Sequence, residues 1–338
     1  MKTVSLIDVS SYLPDKRVPA EYFARYAETD RLSKSVMFKP PPFRHHVDIE
    51  DTAAEMIERA AAPLIERHGA QAIRDVDVLI THAQVPDMPF LGCGGDVADR
   101  LGARPEWLID LHNGGCAVFI YMLKLASQIL ATTDARTALI CTAANAAGTI
   151  YDQSDVRTKP HAPVPGDGCG VGFLAADDSS PILGTECRHY PEHAGDVSLT
   201  GDGEPRKYWQ PGMTQGHMGF DEHKAITIFS RGNRLVPEVA GALCERLDLN
   251  SAAADTFITN QPNRAFLRNW RDALQIDKQR HPDTFDECGN MFGAAIPVTL
   301  DQAIRTGTIA DGSLLLLAGF AHAGDFAAAA AVRWHGDR

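Results

Sequence analysis

Two kinds of hydrophobic pattern alternate along the chain. Apolar positions at helical spacing predict helices at 51–67, 94–101, 117–131, 230–247, 263–274 and 294–306. Short apolar runs between them predict strands at 76–81, 107–111, 137–142, 256–259 and 313–318. This alternation is typical of an α/β fold with mostly parallel sheets covered by helices. The segment 188–223 has no regular hydrophobic period, which predicts a long loop of the kind that often shapes substrate entry.

A weak internal repeat suggests two similar halves. The run 77–82 recurs as 255–260, an offset of 178, and 138–148 resembles 314–325 at an offset of 176 to 177. Chance likeness between buried strands is the alternative, because apolar strands resemble one another. The repeat predicts an N-terminal half at 1–175 and a C-terminal half at 176–338.

Composition excludes several classes of protein. The 338 residues carry a net charge of −12, which argues against nucleic acid or an anionic membrane as the main partner. Seven cysteines without a CxxC pair resemble neither a disulfide framework nor a zinc site, and no metal is expected. The first eight residues form a strand pattern instead of a signal peptide, and 116–130 is too short to span a bilayer. The expected compartment is the cytoplasm.

Cys116 is the candidate nucleophile. It follows Gly114 and Gly115 and lies where the predicted strand 107–111 gives way to the predicted helix 117–131. A helix start favours the thiolate, and the small neighbours let a carbonyl group approach the sulfur. The alternative is a buried structural cysteine, the commoner state of a free thiol.

Five segments in order resemble the ketoacyl-ACP synthase III group of the thiolase fold. They are the opening strand and turn at 11–18, the nucleophile segment 110–119, the Gly-Asp-Gly turn at 165–171, the asparagine segment 288–297 and the glycine-rich loop at 319–324. The resemblance covers nearly the whole chain. It implies a thiolase fold, with duplicated, mostly parallel sheets in an αβαβα layered sandwich.

The resemblance also implies chemistry. Cys116 would accept an acyl group from a coenzyme A or acyl-carrier-protein thioester, with no tightly bound cofactor, and Asn290 would be the active-site asparagine. The backbone N–H of Cys116 and that of His322 or Ala323 would form the oxyanion hole. The family pairs two subunits, which implies a homodimer.

Asn260 marks one departure from the family. It stands in Thr-Asn-Gln-Pro-Asn, where the family has its catalytic histidine. An amide can orient a thioester carbonyl together with Asn290, but it cannot take up a proton near pH 7. Decarboxylative condensation is therefore weakened, although it stays open.

His322 is a second departure, because the family fills this loop with glycine. Asp325 follows three residues later and could orient the imidazole, making His322 a candidate base. The alternative is a histidine that only packs at a strand end. His82 and His112 are further candidates for the base.

Three arginines are candidates for binding coenzyme A or the carrier protein. Arg264 and Arg268 share one face of the helix predicted at 263–274, near the surface that receives the carrier in the family. The alternative is a solvated helix face. Arg44 lies near the position of the family's arginine-rich loop, although three prolines disturb the match.

The sequence therefore favours an acyltransferase that passes the acyl group from Cys116 to an O, N or S acceptor. The acceptor would be a small molecule or a carrier-bound group, in polyketide or other secondary metabolism. The first alternative is a ketosynthase III-type Claisen condensation. The second is a non-catalytic partner subunit of a heterodimer.

Overall fold

The computed structural model describes residues 2–27, 35–200, 217–219 and 222–336. The helices are α1 (Ala20–Ala24), α2 (Ala53–His68), α3 (Ala70–Arg74), α4 (Gly94–Leu101), α5 (Val118–Thr132), α6 (Glu222–Arg246), α7 (Arg264–Ala273), α8 (Phe285–Cys288) and α9 (Ala295–Arg305). The strands are β1 (Ser5–Tyr12), β2 (Lys16–Pro19), β3 (Phe43–His46), β4 (Val78–Ala83), β5 (Trp107–Asp110), β6 (Thr137–Ala144), β7 (Gly168–Ala175), β8 (Ile182–His189), β9 (Ser198–Thr200), β10 (His217–Gly219), β11 (Thr256–Thr259), β12 (Leu314–Ala321) and β13 (Phe326–Arg333).

Two large sheets organise the described chain. The first has the strand order β1-β7-β6-β4-β5, and the second has the order β11-β12-β13-β8. The pairs β4–β5, β4–β6 and β11–β12 are parallel, and the other pairs within these two sheets are antiparallel. The sheets are thus mixed, where the sequence predicts mostly parallel ones. A parallel connection needs a dozen or more residues, and the four residues between β12 and β13 allow only an antiparallel pair.

The two sheets repeat one arrangement. Along the second sheet, β8, β13, β12 and β11 follow the order of β1, β7, β6 and β4 in the first. Leu79 pairs with Leu139 on β4 and β6, and Phe257 pairs with Leu316 on β11 and β12. These equivalent pairs are 178 and 177 residues apart, which matches the offsets of the sequence repeat.

Helices form three layers around the sheets. Helices α5 and α9 lie between the two sheets, α2 covers the outer face of the first, and α6 covers the outer face of the second. The sequence predicts that the apolar stretch at α5 is too short to span a bilayer, but 115–132 is long and apolar enough by length and composition. Its side chains at Phe119, Met122 and Leu123 are fully buried in the central core, which accounts for the apolar composition.

Candidate active site

One cavity of about 100 Å³ opens beside the nucleophile turn. Its apolar wall includes Phe38, Val164, Ile228, Phe266, Phe292 and Phe320. Its polar lining includes Gln84, Cys116, Asn260, Asn263, Asn290 and His322. The cavity therefore brings together Cys116, both candidate asparagines and the candidate base, which lie far apart in sequence.

A tight turn carries Cys116 into this cavity. Gly114 and Gly115 adopt φ values of 100° and 43°, and a 3₁₀ turn over Gly115–Ala117 leads directly into α5. A Cβ atom on Gly115 would lie 2.7 Å from Nε2 of His322, so only glycine fits at this position without a shift. The imidazole of His322 therefore packs directly against the residue that precedes the nucleophile.

Burial controls the thiol of Cys116. It raises the pKa of Cys116 to about 12, although hydrogen bonds from the backbone N–H groups of His322 and Cys116 and from the Asn260 side chain lower it in part. The prediction that the helix start makes this residue a thiolate is therefore wrong for the free enzyme. The physical reason is that removing the sulfur from water disfavours its charged form more than the nearby dipoles favour it.

Two backbone N–H groups converge on the sulfur. They belong to Cys116 and His322. The sequence left the second donor open between His322 and Ala323, and the backbone hydrogen bond that lowers the pKa of Cys116 comes from His322. The carbonyl oxygen of Ala323 accepts from Nη1 of Arg231 at 2.5 Å. A pair of N–H donors beside a nucleophile is the arrangement that stabilises a tetrahedral oxyanion.

Asn260 is fully buried and its amide is held by the backbone. Nδ2 donates to the carbonyl oxygen of Phe320 at 3.2 Å, and Oδ1 accepts from the N–H of Phe320 at 3.3 Å. The same side chain also hydrogen-bonds the Cys116 sulfur. These bonds use the hydrogen-bonding capacity of the amide largely within the protein. Asn260 is therefore less available to hold a substrate carbonyl than the sequence predicts.

Asn290 is placed differently. Its Oδ1 accepts from the N–H of Phe292 at 3.1 Å, and its backbone N–H donates to the carbonyl of Val164. This leaves Nδ2 without a hydrogen bond among the described residues, at the wall of the cavity. Asn290 can therefore donate to a carbonyl oxygen of a bound thioester.

His322 forms the predicted pair with Asp325. Nδ1 of the imidazole lies 3.1 Å from Oδ1 of Asp325, and one third of the side chain is exposed. Burial raises the pKa of Asp325, but its hydrogen bond to His322 and the charges of His322 and His189 outweigh this and lower it. An ionised Asp325 accepts the proton on Nδ1, so Nε2 carries the lone pair on the side of the nucleophile turn.

Other histidines are less suited to act as the base. His82 is buried, its Nδ1 lies 2.8 Å from the carbonyl of Leu111, and burial lowers its pKa to about 4. His112 is exposed to solvent in the described chain and does not line the cavity. Among the described residues that line the cavity, His161 is a second histidine; it packs edge-on against Tyr151 at 5.9 Å.

The three predicted carrier-binding arginines do not lie together. Arg44 is fully buried with its guanidinium over the Phe23 ring, and burial lowers its pKa to about 10, so it cannot receive a carrier at the surface. That prediction is wrong because β3 faces inward at this residue. Arg264 and Arg268 are exposed on α7, as predicted, and Arg264 is paired with Asp286 and Asp283.

Sequence reasoning missed two polar residues of the cavity. Gln84 follows β4 and faces the cavity beside Cys116. Asn263 caps α7 through Oδ1, and its buried Nδ2 makes no hydrogen bond within the described part of the chain. The helix-capping pattern gave a signal for Asn263, but nothing local marks Gln84. In the described ranges, no three His, Cys, Asp or Glu side chains are grouped to hold a metal ion.

The layered fold, the glycine turn at the cysteine and the paired N–H donors define a thiolase-fold enzyme that acts on acyl thioesters. Two family models match the chain, both described as 3-oxoacyl-[acyl-carrier-protein] synthase III, one over residues 109–191 and the C-terminal one over 244–334. Together they cover just over half of the chain. The protein belongs to this family.

Known proteins match over nearly the full length. The β-ketoacyl-[acyl-carrier-protein] synthase III of Staphylococcus epidermidis is 25% identical over 94% of this chain and 95% of its own. The crystal structure of 3-oxoacyl-(acyl carrier protein) synthase III from Pseudomonas aeruginosa has a TM-score of 0.81 at 20% identity and covers both chains fully. A variant of OleA from Xanthomonas campestris has a TM-score of 0.82 at 18% identity, covering 98% of this chain and 99% of its own. The structural matches confirm the thiolase fold.

Proposed function

We propose that this protein is a condensing enzyme of the ketoacyl synthase III type, which takes an acyl group from a coenzyme A or carrier-protein thioester onto Cys116. The observation that carries this proposal is that Cys116, Asn290 and His322 line one cavity, with the His322 imidazole packed against Gly115, the residue before the nucleophile. The relatives are synthases of this type, so they support carbon–carbon bond formation more than the O, N or S transfer that the sequence puts first.

The first half-reaction needs a base, because burial keeps the thiol protonated. As the sulfur attacks the thioester carbonyl, its proton passes to Nε2 of His322. The N–H groups of Cys116 and His322 hold the oxyanion, and the departing thiol takes the proton back from His322. The product is an acyl thioester on Cys116, and the imidazole is returned to its starting state.

The second half-reaction requires a donor that can become a carbanion. A malonyl-type thioester would lose CO₂, and Nδ2 of Asn290 would donate to the thioester carbonyl that carries the enolate charge. The carbanion then attacks the acyl carbonyl, and the Cys116 sulfur leaves as thiolate and takes a proton from solvent to regenerate the thiol. Asn260, held on Phe320, adds little to this step.

Transfer to an alcohol, amine or thiol acceptor, as in polyketide or other secondary metabolism, is the second candidate function. The His322–Asp325 pair favours it, because a hydroxyl or amine acceptor must lose a proton as it attacks the acyl enzyme. Either function uses the same acyl enzyme, and the two differ only in the acceptor.

The carrier and the second subunit would meet different surfaces. Arg268, exposed on α7, would receive the phosphate-bearing arm of the donor. A homodimer would form at the open edge of β5. The side chains of Trp107 and Leu108 on this strand, and those of Phe90 and Leu91 nearby, are exposed apolar groups that a second subunit would cover. We propose the cytoplasm as the compartment of this dimer.

Intact-mass spectrometry tests the proposal. The protein is mixed with acetyl, butyryl and octanoyl coenzyme A, and each adduct is localised by peptide mapping. We expect one acyl group per chain on Cys116 and none on the Cys116→Ala variant. Cys288→Ala is the matched control, since that cysteine is buried and does not line the cavity, so the change should leave the adduct intact. A wild-type protein that takes up no acyl group would contradict the proposal.

The acyl enzyme then separates the two functions. Adding malonyl coenzyme A should release CO₂ and a β-ketoacyl product if the enzyme condenses. Discharge of the acyl group to hydroxylamine or a panel of alcohols, without CO₂ release from malonyl thioester, would instead favour the second candidate.

A further inference from the structure

Arg231 reaches from α6 into the loop that carries His322. Its side chain is only 8% exposed, and Nη1 donates to the carbonyl oxygen of Ala323 at 2.5 Å. The same nitrogen lies 2.9 Å from Oδ2 of Asp196. A buried guanidinium is thus held between one carboxylate and one backbone carbonyl of the loop.

The loop that it contacts has an unusual backbone. Four residues join Ala321 at the end of β12 to Phe326 at the start of β13. His322 has a φ of 47° and Gly324 a φ of 90°, both in the left-handed region. Side chains other than glycine persist there only when the surroundings hold them in place.

The stem of Arg231 fits against the bare backbone of this loop. A Cβ atom on Gly324 would lie 2.6 Å from Cδ of Arg231, so the glycine leaves the space that the arginine occupies. At the last residue of the loop, the N–H of Tyr190 donates to the carbonyl of Asp325 at 2.7 Å. The loop is therefore tethered at Ala323 and at Asp325.

We propose that Arg231, held by Asp196, is a positioning residue for acyl transfer. It fixes the loop so that the N–H and the imidazole of His322 both address the Cys116 sulfur. The inference rests on the proposed function, because it assigns a role to Arg231 only through His322. Loss of the guanidinium should let the strained turn relax and move both groups away from the reacting carbonyl.

Single-turnover acylation measures this role. Arg231→Met keeps most of the volume of the stem and removes the charge and the donors, while Arg231→Lys keeps the charge. Arg234→Met is the matched control: it lies three residues along the same helix, and its ion pair with Glu238 at 2.8 Å is exposed to solvent. Each variant is titrated with acyl coenzyme A, and its melting temperature is recorded.

We expect Arg231→Met to slow the maximal acylation rate by about 10- to 100-fold, part of what a lost oxyanion donor costs. The half-saturating thioester concentration should change by less than about threefold, because Arg231 does not line the cavity. Arg231→Lys should recover at least part of the rate, and Arg234→Met should match wild type.

If Arg231 only stabilised the fold, Arg231→Met would lower the melting temperature without slowing the maximal acylation rate at an unchanged half-saturating thioester concentration. Equal maximal rates in Arg231→Met and Arg234→Met would overturn the inference while leaving the proposed function in place. If Arg231→Met does not fold, Asp196→Asn replaces it, because this change removes the carboxylate that holds the guanidinium. An Asp196→Asn variant that folds and acylates no more slowly than Arg234→Met overturns the inference equally. A wild-type protein that forms no acyl-Cys116 would overturn both.

Discussion

Replacing His322 by asparagine tests the base most sharply. The residue has a φ of 47°, and asparagine tolerates this conformation better than other uncharged residues with a side chain. The backbone N–H of residue 322 is kept, so the proposed oxyanion hole loses no donor. Only the basic nitrogen is removed, since an amide cannot take up a proton near neutral pH.

The size of the effect follows from the thiol. With a pKa of about 12, only about one thiol in 10⁵ is ionised at pH 7. A nucleophile that starts as a thiolate would need no base in the first half-reaction, but this one does. Loss of the base should slow acylation by about 10²- to 10⁴-fold. The remaining rate should depend on the thiolate fraction, which rises about tenfold per pH unit below the thiol pKa.

The assay is rapid-quench acylation followed by intact mass, from pH 6.5 to 9. His322→Asn should show a slope close to one in a plot of log rate against pH, and wild type a shallower one. His112→Asn serves as the matched control, because His112 is exposed and does not line the cavity. If His322→Asn acylates at the wild-type rate with the wild-type slope, His322 is not the base.

Three further predictions concern stability. Asn260→Ala leaves the N–H and carbonyl of Phe320 buried without partners. Urea unfolding should therefore show a free energy of unfolding lower by about 2–4 kcal/mol. An unchanged unfolding midpoint would contradict the role given to this amide. Asp167→Asn removes a carboxylate that accepts three backbone N–H bonds, from Val47, Ala147 and Gly148. It should lower the free energy of unfolding by at least about 2 kcal/mol in the same measurement. A smaller decrease would contradict the role of this carboxylate in joining the two segments. Burial lowers the pKa of His82 to about 4 and of His281 to about 3. The unfolded chain binds these protons first, so the free energy of unfolding should fall as the pH drops from about 6.5 toward 4. If a His281→Asn variant loses stability as steeply with pH as the wild type, His281 does not contribute to this pH dependence.

Hydrophobic pattern alone located most of the fold. It gave α4 and β11 with their observed bounds, because α4 has a clear helical period that ends at Gly102 and β11 is a short run between Asp255 and Asn260. It gave no signal for β13, where five consecutive alanines carry no alternation and have a helical preference. Pairing with β12 and β8 on both sides, which is tertiary, makes that segment a strand.

The candidate site was predictable where it is local. The spacing of His322 and Asp325 foretold their hydrogen bond. The glycines before Cys116 indicated room for a carbonyl group, but not the tight turn that they form. Burial was not predictable, since it depends on what packs above a residue. Arg44 was therefore misplaced at the surface, and the state of the Cys116 thiol was misjudged.

The two departures from the family are joined in the structure. Where the family has its histidine, Asn260 presents an adjacent donor and acceptor, and these match the carbonyl and N–H of Phe320. An imidazole carries its two nitrogens on different sides of the ring and cannot satisfy both backbone groups of one residue in this way. Phe320 lies two residues before His322, so the amide anchors the strand end from which the new imidazole projects. The exchange at 260 therefore puts an amide where the family has a base, and this amide anchors the loop that carries His322, the proposed base.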